Sequence, residues 1–200
     1  MSDKYHLSSG LAIEELRKKD PAEVARLSGG SFNALDKALT ISFCGRPVVF
    51  SYEDFSLKWG DTGADFEKPG DIPILHYLSN ADGTEPTGEF LPYRDLWGAN
   101  VQSGPFIARP ETILAEKYDA APAEVMAAGR RLGAEGIGKY GDVRLDIPAL
   151  PKVRVALLLY AADDDLPAGA KFLFDSAIKN YLPTEDVIWL AGWLAERMTA

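Results

Sequence analysis

The chain has 200 residues, 46% of them hydrophobic, with 30 acidic against 21 basic side chains and a formal net charge of −9. A chain of this length buries about two-thirds or more of the surface its unfolded form exposes, so its stability needs neither disulfides nor a structural metal. The negative charge opposes counterion-release binding to phosphates, which argues against nucleic acid and anionic membrane as partners, and four Trp, eight Tyr and nine Phe exclude a disordered acidic chain.

In chain order, Leu11, Glu15, Leu16 and Lys19 begin a helical pattern that pauses at Asp20-Pro21. There Asp caps, and Pro fills the first turn of, a second helix ending at Gly29-Gly30. From Ala38 the period becomes two: Leu39, Ile41 and Phe43 alternate with Thr40, Ser42 and Cys44, and Gly45-Arg46 turns the chain into Pro47-Val48-Val49-Phe50. This predicts a hairpin, with a third strand over 55–59 before a loop rich in Gly, Asp and Pro. A short helix over 72–78, with Asp71 as cap and Pro73 near its first turn, carries His76. Residues 90–97 read as a short extended piece or turn. Arg109-Pro110-Glu111 opens a helix through Tyr118, and residues 121–132 form another, with Val125, Ala128 and Leu132 on one buried face. Residues 142–147 alternate as a strand with one solvated side.

Residues 153–162 are the most continuous apolar run, rich in branched side chains, and fit a central strand covered on both faces. The run breaks at Asp163-Asp164-Asp165-Leu166-Pro167. Beyond it Leu173, Ala177 and Tyr181 fall at i, i+4 and i+8 and predict a helix closed by Pro183. Thr184-Glu185-Asp186 then caps a last helix whose apolar stripe is Val187, Leu190, Ala191 and Leu194. The expected architecture is α+β and a single domain over 1–200, with a helical segment at 1–37 and an α+β core at 38–200. That core is one mixed, mainly antiparallel sheet with helices packed on it and the helix from Thr184 laid across it.

Cys44 is the only cysteine, so no intrachain disulfide or multi-cysteine metal site can form, and the usage is that of a reducing cytoplasm. The first residues lack a basic stretch leading into an apolar one, and no apolar run is long enough to span a bilayer. The expected location is cytoplasmic.

Leu150-Pro151, the apolar strand, the acidic break leading to Leu166-Pro167-Ala168, and Leu173-Phe174-Asp175-Ser176-Ala177 followed by Tyr181-Leu182-Pro183 resemble the C-terminal signature of the bacterial and archaeal domain-of-unknown-function family 3786. His76-Tyr77-Leu78, Thr87-Gly88-Glu89 and Tyr93-Arg94-Asp95-Leu96 are similar to the middle of the same family, so the resemblance runs from about residue 38 onward. Members occur largely in anaerobes, and some carry an attached iron-sulfur domain of the kind seen in corrinoid and one-carbon methyl-transfer systems. The present chain, with Cys44 alone, cannot supply the four thiolates such a cluster requires. The resemblance therefore implies a protein partner carrying the corrinoid or iron-sulfur cofactor.

Several side-chain sets carry chemistry. Asp163, Asp164 and Asp165 with Asp175 offer hard oxygen ligands for Mg²⁺ or Ca²⁺ if they converge, and form a solvated acidic turn if they do not. His76, Arg94 and Arg109 are the candidate ligands for a carboxylate or phosphate group, against separate roles in packing and surface pairs. Gly136-Ile137-Gly138-Lys139-Tyr140-Gly141 spells a dinucleotide fingerprint, but a helix precedes it and a strand follows, the reverse of the order the fingerprint needs. Cys44 with His76 lacks a third orienting group and reads as a buried structural thiol. Trp97, Trp189 and Trp193 with Phe172 and Phe174 line a pocket for a flat cofactor or simply form core. One thiol and two imidazoles make no readable transition-metal set. Two functions stand. The first is a non-catalytic accessory module of anaerobic metabolism, favoured because no nucleophile, metal triad or phosphate loop is readable. The second is an enzyme acting on a small anionic substrate through His76, Arg94, Arg109 and the acidic strand end.

Overall fold

Period-two alternation builds the first sheet. In the computed structural model, which describes residues 2–99, 104–118, 121–136 and 142–200 (the backbone alone for 2–6 and 122), strands β1 (Ser31–Asn33), β2 (Ala38–Phe43), β3 (Arg46–Ser51) and β4 (Leu57–Trp59) pair antiparallel in chain order. Leu39, Ile41 and Phe43 of β2, with Val48 and Phe50 of β3, are buried. The tight β2–β3 turn holds Cys44 and Gly45 at φ of 48° and 78°, a conformation that glycine adopts freely and other residues rarely. Cys44 N–H donates to the Ala149 carbonyl at 2.9 Å and ties this sheet to the second. Burial raises the pKa of the Cys44 thiol, so it is no ready nucleophile.

The second sheet consists of β5 (Phe90–Pro92), β6 (Glu135–Gly136), β7 (Val143–Leu150), β8 (Val153–Tyr160) and β9 (Gly169–Asp175) in the order β5-β9-β8-β7-β6, again antiparallel throughout. The apolar run lies in its middle. Val153, Val155, Leu157 and Leu159 on one face of β8 and Ala156 and Leu158 on the other are all buried, as a strand covered on both faces demands. One continuous buried cluster draws on both sheets and on the helices.

The helices are α1 (Ser2–Arg17), α2 (Pro21–Ser28), α3 (Asp71–Asn80), α4 (Gly104–Tyr118), α5 (Pro122–Arg131) and α6 (Thr184–Thr199). Asp20 caps α2 by accepting from Ala22 N–H at 3.0 Å, and Gly29 closes it at φ 69°. α1 packs on α3, and α4 lies between α6 and β9 in its contacts. Among the described residues no helix is long and apolar enough to cross a membrane.

The fold is α+β, with several local differences from the sequence reading. The single sheet is two sheets, and the three- and two-residue edge strands β1 and β6 are too short to leave a periodic signal. Residues 172–181 are not a helix: Phe172 and Phe174 point inward with the strand period, and Asp175 then accepts from Ala177 N–H to start a 3-10 turn over Ser176–Asn180. Pro110 does not open α4 but sits inside it, since the helix begins six residues earlier at Gly104. α6 lies against α4 rather than across the sheet, and its Trp189 and Trp193 rings meet Phe43 of β2 at 6.4 and 4.6 Å between centroids. Gly70 and Pro183, rather than Asp71 and Thr184, stand at the N-cap positions of α3 and α6.

Leu157 is fully buried at the centre of the second sheet. Leu157→Ala should cost about 2–5 kcal/mol of stability, read from the shift of the urea midpoint at unchanged slope.

Candidate functional site

On α3 the side chains of Ile74, Leu75, Tyr77 and Leu78 enter the core, which leaves His76 half-buried where α1 and α6 meet the helix. α1 brings Ser8 and the first turn of α6 brings Asp186. His76 Nδ1 lies 2.6 Å from Asp186 Oδ2, and His76 Nε2 lies 3.1 Å from Ser8 Oγ. The side chain of Asp186 is 9% exposed and that of His76 21%, so the carboxylate is sheltered while the ring is partly exposed. An ionised carboxylate only accepts hydrogen bonds, so Nδ1 carries a proton; in the neutral ring Nε2 is then the acceptor and Ser8 Oγ–H the donor. Asp186 lies in the first turn of α6.

The arrangement is a hydroxyl, an imidazole and an orienting carboxylate in order, the geometry that activates a serine for attack. In the sequence His76 stands out as a candidate and Asp186 reads as part of a helix cap, while nothing singles out Ser8. Successive partners lie 68 and 110 positions apart, and no local pattern joins them.

Residues 20–197 match the family described as Domain of unknown function (DUF3786). The chain belongs to that family. No curated protein and no solved structure matches it. His76 and Asp186 fall inside the span matched to DUF3786, and Ser8 falls outside it.

The other candidate residues of this DUF3786 chain are dispersed. The Arg94 side chain is 85% exposed, 3.7 Å from Asp95, at the rim of a cavity of about 360 Å³ that Lys171 also lines. Arg109 faces a different groove, between α4 and α6. His76 is engaged with Ser8 and Asp186, so the three do not share one described cavity. Trp97 is 85% exposed, Phe172 and Phe174 stack on each other in β9, and Trp189 and Trp193 pack with Phe43. Trp189 and Trp193 both line the groove between α4 and α6, but Trp97, Phe172 and Phe174 do not line it. Of the glycine-rich stretch, Gly136 ends β6 and residues 137–141 lie outside the described residues.

The four aspartates do not converge. Asp163 Oδ1 accepts from the N–H groups of Asp165 and Leu166 at 2.9 and 2.8 Å and closes the exposed turn before β9. Asp175 stands at the far end of that seven-residue strand, about 20 Å away. It is fully buried and accepts from Thr87 N–H, Thr87 Oγ1–H, Gly88 N–H and Ala177 N–H at 2.7–3.0 Å. Among the described residues no group of three or more His, Cys, Asp or Glu is placed to hold a metal ion.

Burial disfavours the charge on Asp175, but the hydrogen bonds from Thr87, Ala177 and Gly88 outweigh it and hold its carboxyl below the usual carboxylate range. A folded value below the unfolded one of about 3.9 means that this stabilisation is present above that pH and is lost as pH falls through the folded value. Asp175→Asn keeps one acceptor but turns an NH₂ group toward N–H donors. It should cost about 1–3 kcal/mol at neutral pH and make the acid limb of a stability-against-pH curve shallower than in the wild type.

Proposed function

We propose that the chain is an enzyme in which His76 acts as general base toward the Ser8 hydroxyl, the chemistry of hydrolytic acyl transfer. The observation that carries this reading is the relay Ser8 Oγ, His76 Nε2, His76 Nδ1 and Asp186 Oδ2, with separations of 3.1 and 2.6 Å across its two hydrogen bonds. As Ser8 Oγ attacks the carbonyl carbon of a small ester, His76 Nε2 takes the hydroxyl proton, and the Asp186 carboxylate stabilises the imidazolium. The same proton then passes to the leaving alcohol, forming an acyl-serine. Water, deprotonated by His76, attacks that acyl group, and the proton returns to Ser8 as the acid departs. Recognition of an anionic substrate through Arg94 or Arg109 has no part in this relay, because those side chains serve other surfaces.

A binding role is favoured by a separate observation, the exposure of Trp97 and of Phe106 on α4, since exposed aromatic side chains are frequent anchors at protein interfaces.

Incubation with a fluorophosphonate followed by peptide mass spectrometry should place the adduct on Ser8. His76→Ala and Asp186→Asn should lower both the labelling rate and p-nitrophenyl butyrate hydrolysis, His76→Ala by about 10²–10⁴-fold. Circular dichroism melts would confirm that each variant is folded. Labelling at Ser8 that persists at the wild-type rate in folded His76→Ala would overturn the reading.

A further inference from the structure

Among the described residues, half of one edge of β9 has no strand beside it. In an antiparallel ladder, alternate residues direct both backbone groups to the same neighbour. Phe172 N–H donates to Glu111 Oε1 of α4 at 3.0 Å, so Phe172 faces away from β8. By the same alternation Ala170 and Phe174 face away from β8 as well. Phe174 is opposite Leu91 of β5. β5 ends at Pro92, opposite Leu173, and the chain then leaves the sheet through the 3-10 turn at Tyr93–Asp95. Beyond that point no strand of the described residues lies in the lane beside β9. Glu111 covers Phe172, but no described residue hydrogen-bonds the N–H or C=O of Ala170 across that lane.

Those groups open on a groove of about 630 Å³ between α4 and the start of β9. Its α4 wall carries Ala108, Glu111, Thr112, Ala115 and Glu116, and its opposite wall includes Ala168 and Gly169. Between the small side chains of the two walls the groove reaches Ala170 of β9. Tyr160 and Leu166 stand exposed at the same end and offer apolar contacts for alternate side chains of an added strand.

The charge of the groove selects the occupant. Glu111 and Glu116 line it, the exposed aspartates 163–165 precede its wall, and the neighbouring Lys171 of β9 is held by Glu111 at 2.9 Å. We infer that the open edge of β9 is a docking site for an extended basic segment of a partner protein, which adds as a strand in the lane that β5 leaves at Pro92. Backbone hydrogen bonds to Ala170 supply its affinity, and the acidic rim supplies its preference for Lys and Arg. This inference is independent of the Ser8 relay.

The probe is an acetylated, amidated nonapeptide of alternating Thr and Lys, titrated into ¹⁵N-labelled protein. Amide shifts should centre on Ala170 and on Thr112 and Ala115, with an affinity at least about tenfold above that of the Thr and Glu counterpart. N-methylation of alternate peptide residues in the two possible registers should abolish the shifts in one of them. Ala170→Pro deletes the N–H facing the groove without removing a β8–β9 hydrogen bond, a position where an edge strand accepts proline. That variant should still melt cooperatively and lose at least about tenfold in affinity. Thr112→Trp, which fills the groove from α4, should do the same and serves where Ala170→Pro does not fold. Equal binding by folded Ala170→Pro and Thr112→Trp, equal affinity for the basic and acidic peptides, or shifts confined to other surfaces would overturn the proposal. So would dimerisation through β9 in the absence of peptide, which would make a second copy the occupant.

Discussion

A single buried carboxylate sets the frame on which the second half of the molecule is assembled. Asp175 has no exposed surface and no cation partner among the described residues, and its charge is held by three backbone N–H groups and one hydroxyl. Burying a carboxylate is tolerable only when its oxygens are satisfied in this way. Two of the donors, Thr87 and Gly88, belong to the segment that delivers β5 to the edge of β9. The fourth bond, from Ala177, ends the strand and starts the 3-10 turn. Ser176 N–H donates to the Glu89 carbonyl at 2.8 Å and continues the same junction. One side chain therefore decides where β9 stops, where β5 pairs and where the chain departs toward α6.

The consequences extend through two tyrosines. Tyr181 follows the 3-10 turn, donates its hydroxyl to the Thr84 carbonyl and stacks on Tyr77 of α3 at 5.2 Å between centroids. Tyr77 in turn donates to the Ser28 carbonyl and accepts from Lys152 N–H at the β7–β8 turn. α3 is thus held by hydrogen bonds to α2, to the second sheet and, through ring stacking, to the segment preceding α6. This bracing fixes the spacing between His76 on α3 and Asp186 on α6. The proton transfer proposed for this pair needs such support, since an error of about an ångström is enough to weaken it.

Other carboxylates do comparable work elsewhere. Glu67 accepts from the indoles of Trp59 and Trp193 and from Arg197 at 2.7–3.0 Å, closing the polar edge of the Phe43, Trp59, Phe66 and Trp193 cluster. Glu111 occupies part of the β9 edge that β5 leaves uncovered, which protects that part from further pairing and leaves Ala170 open. Acidic residues account for much of the net charge, yet several act as internal acceptors rather than as a solvated coat.

The amino-acid sequence by itself determined the elements whose signal is local. The Asp20-Pro21 cap, the β2–β3 hairpin around Gly45 and the central β8 rest on residues close together in the chain, and the family membership rests on the run of the sequence over residues 20–197. Periodicity of the segment after the acidic turn misled, because Leu173, Ala177 and Tyr181 have helical spacing while Phe172 and Phe174 have strand spacing. Partners on both sides of β9 resolved that conflict in favour of the strand. His76 was legible as a candidate. Its partners Ser8 and Asp186 were not, nor was the separation of Asp175 from the acidic turn. Convergence of side chains far apart in sequence depends on how α1, α3 and α6 pack and on which end of β9 a residue occupies, and those are decided only when the whole chain closes on its core.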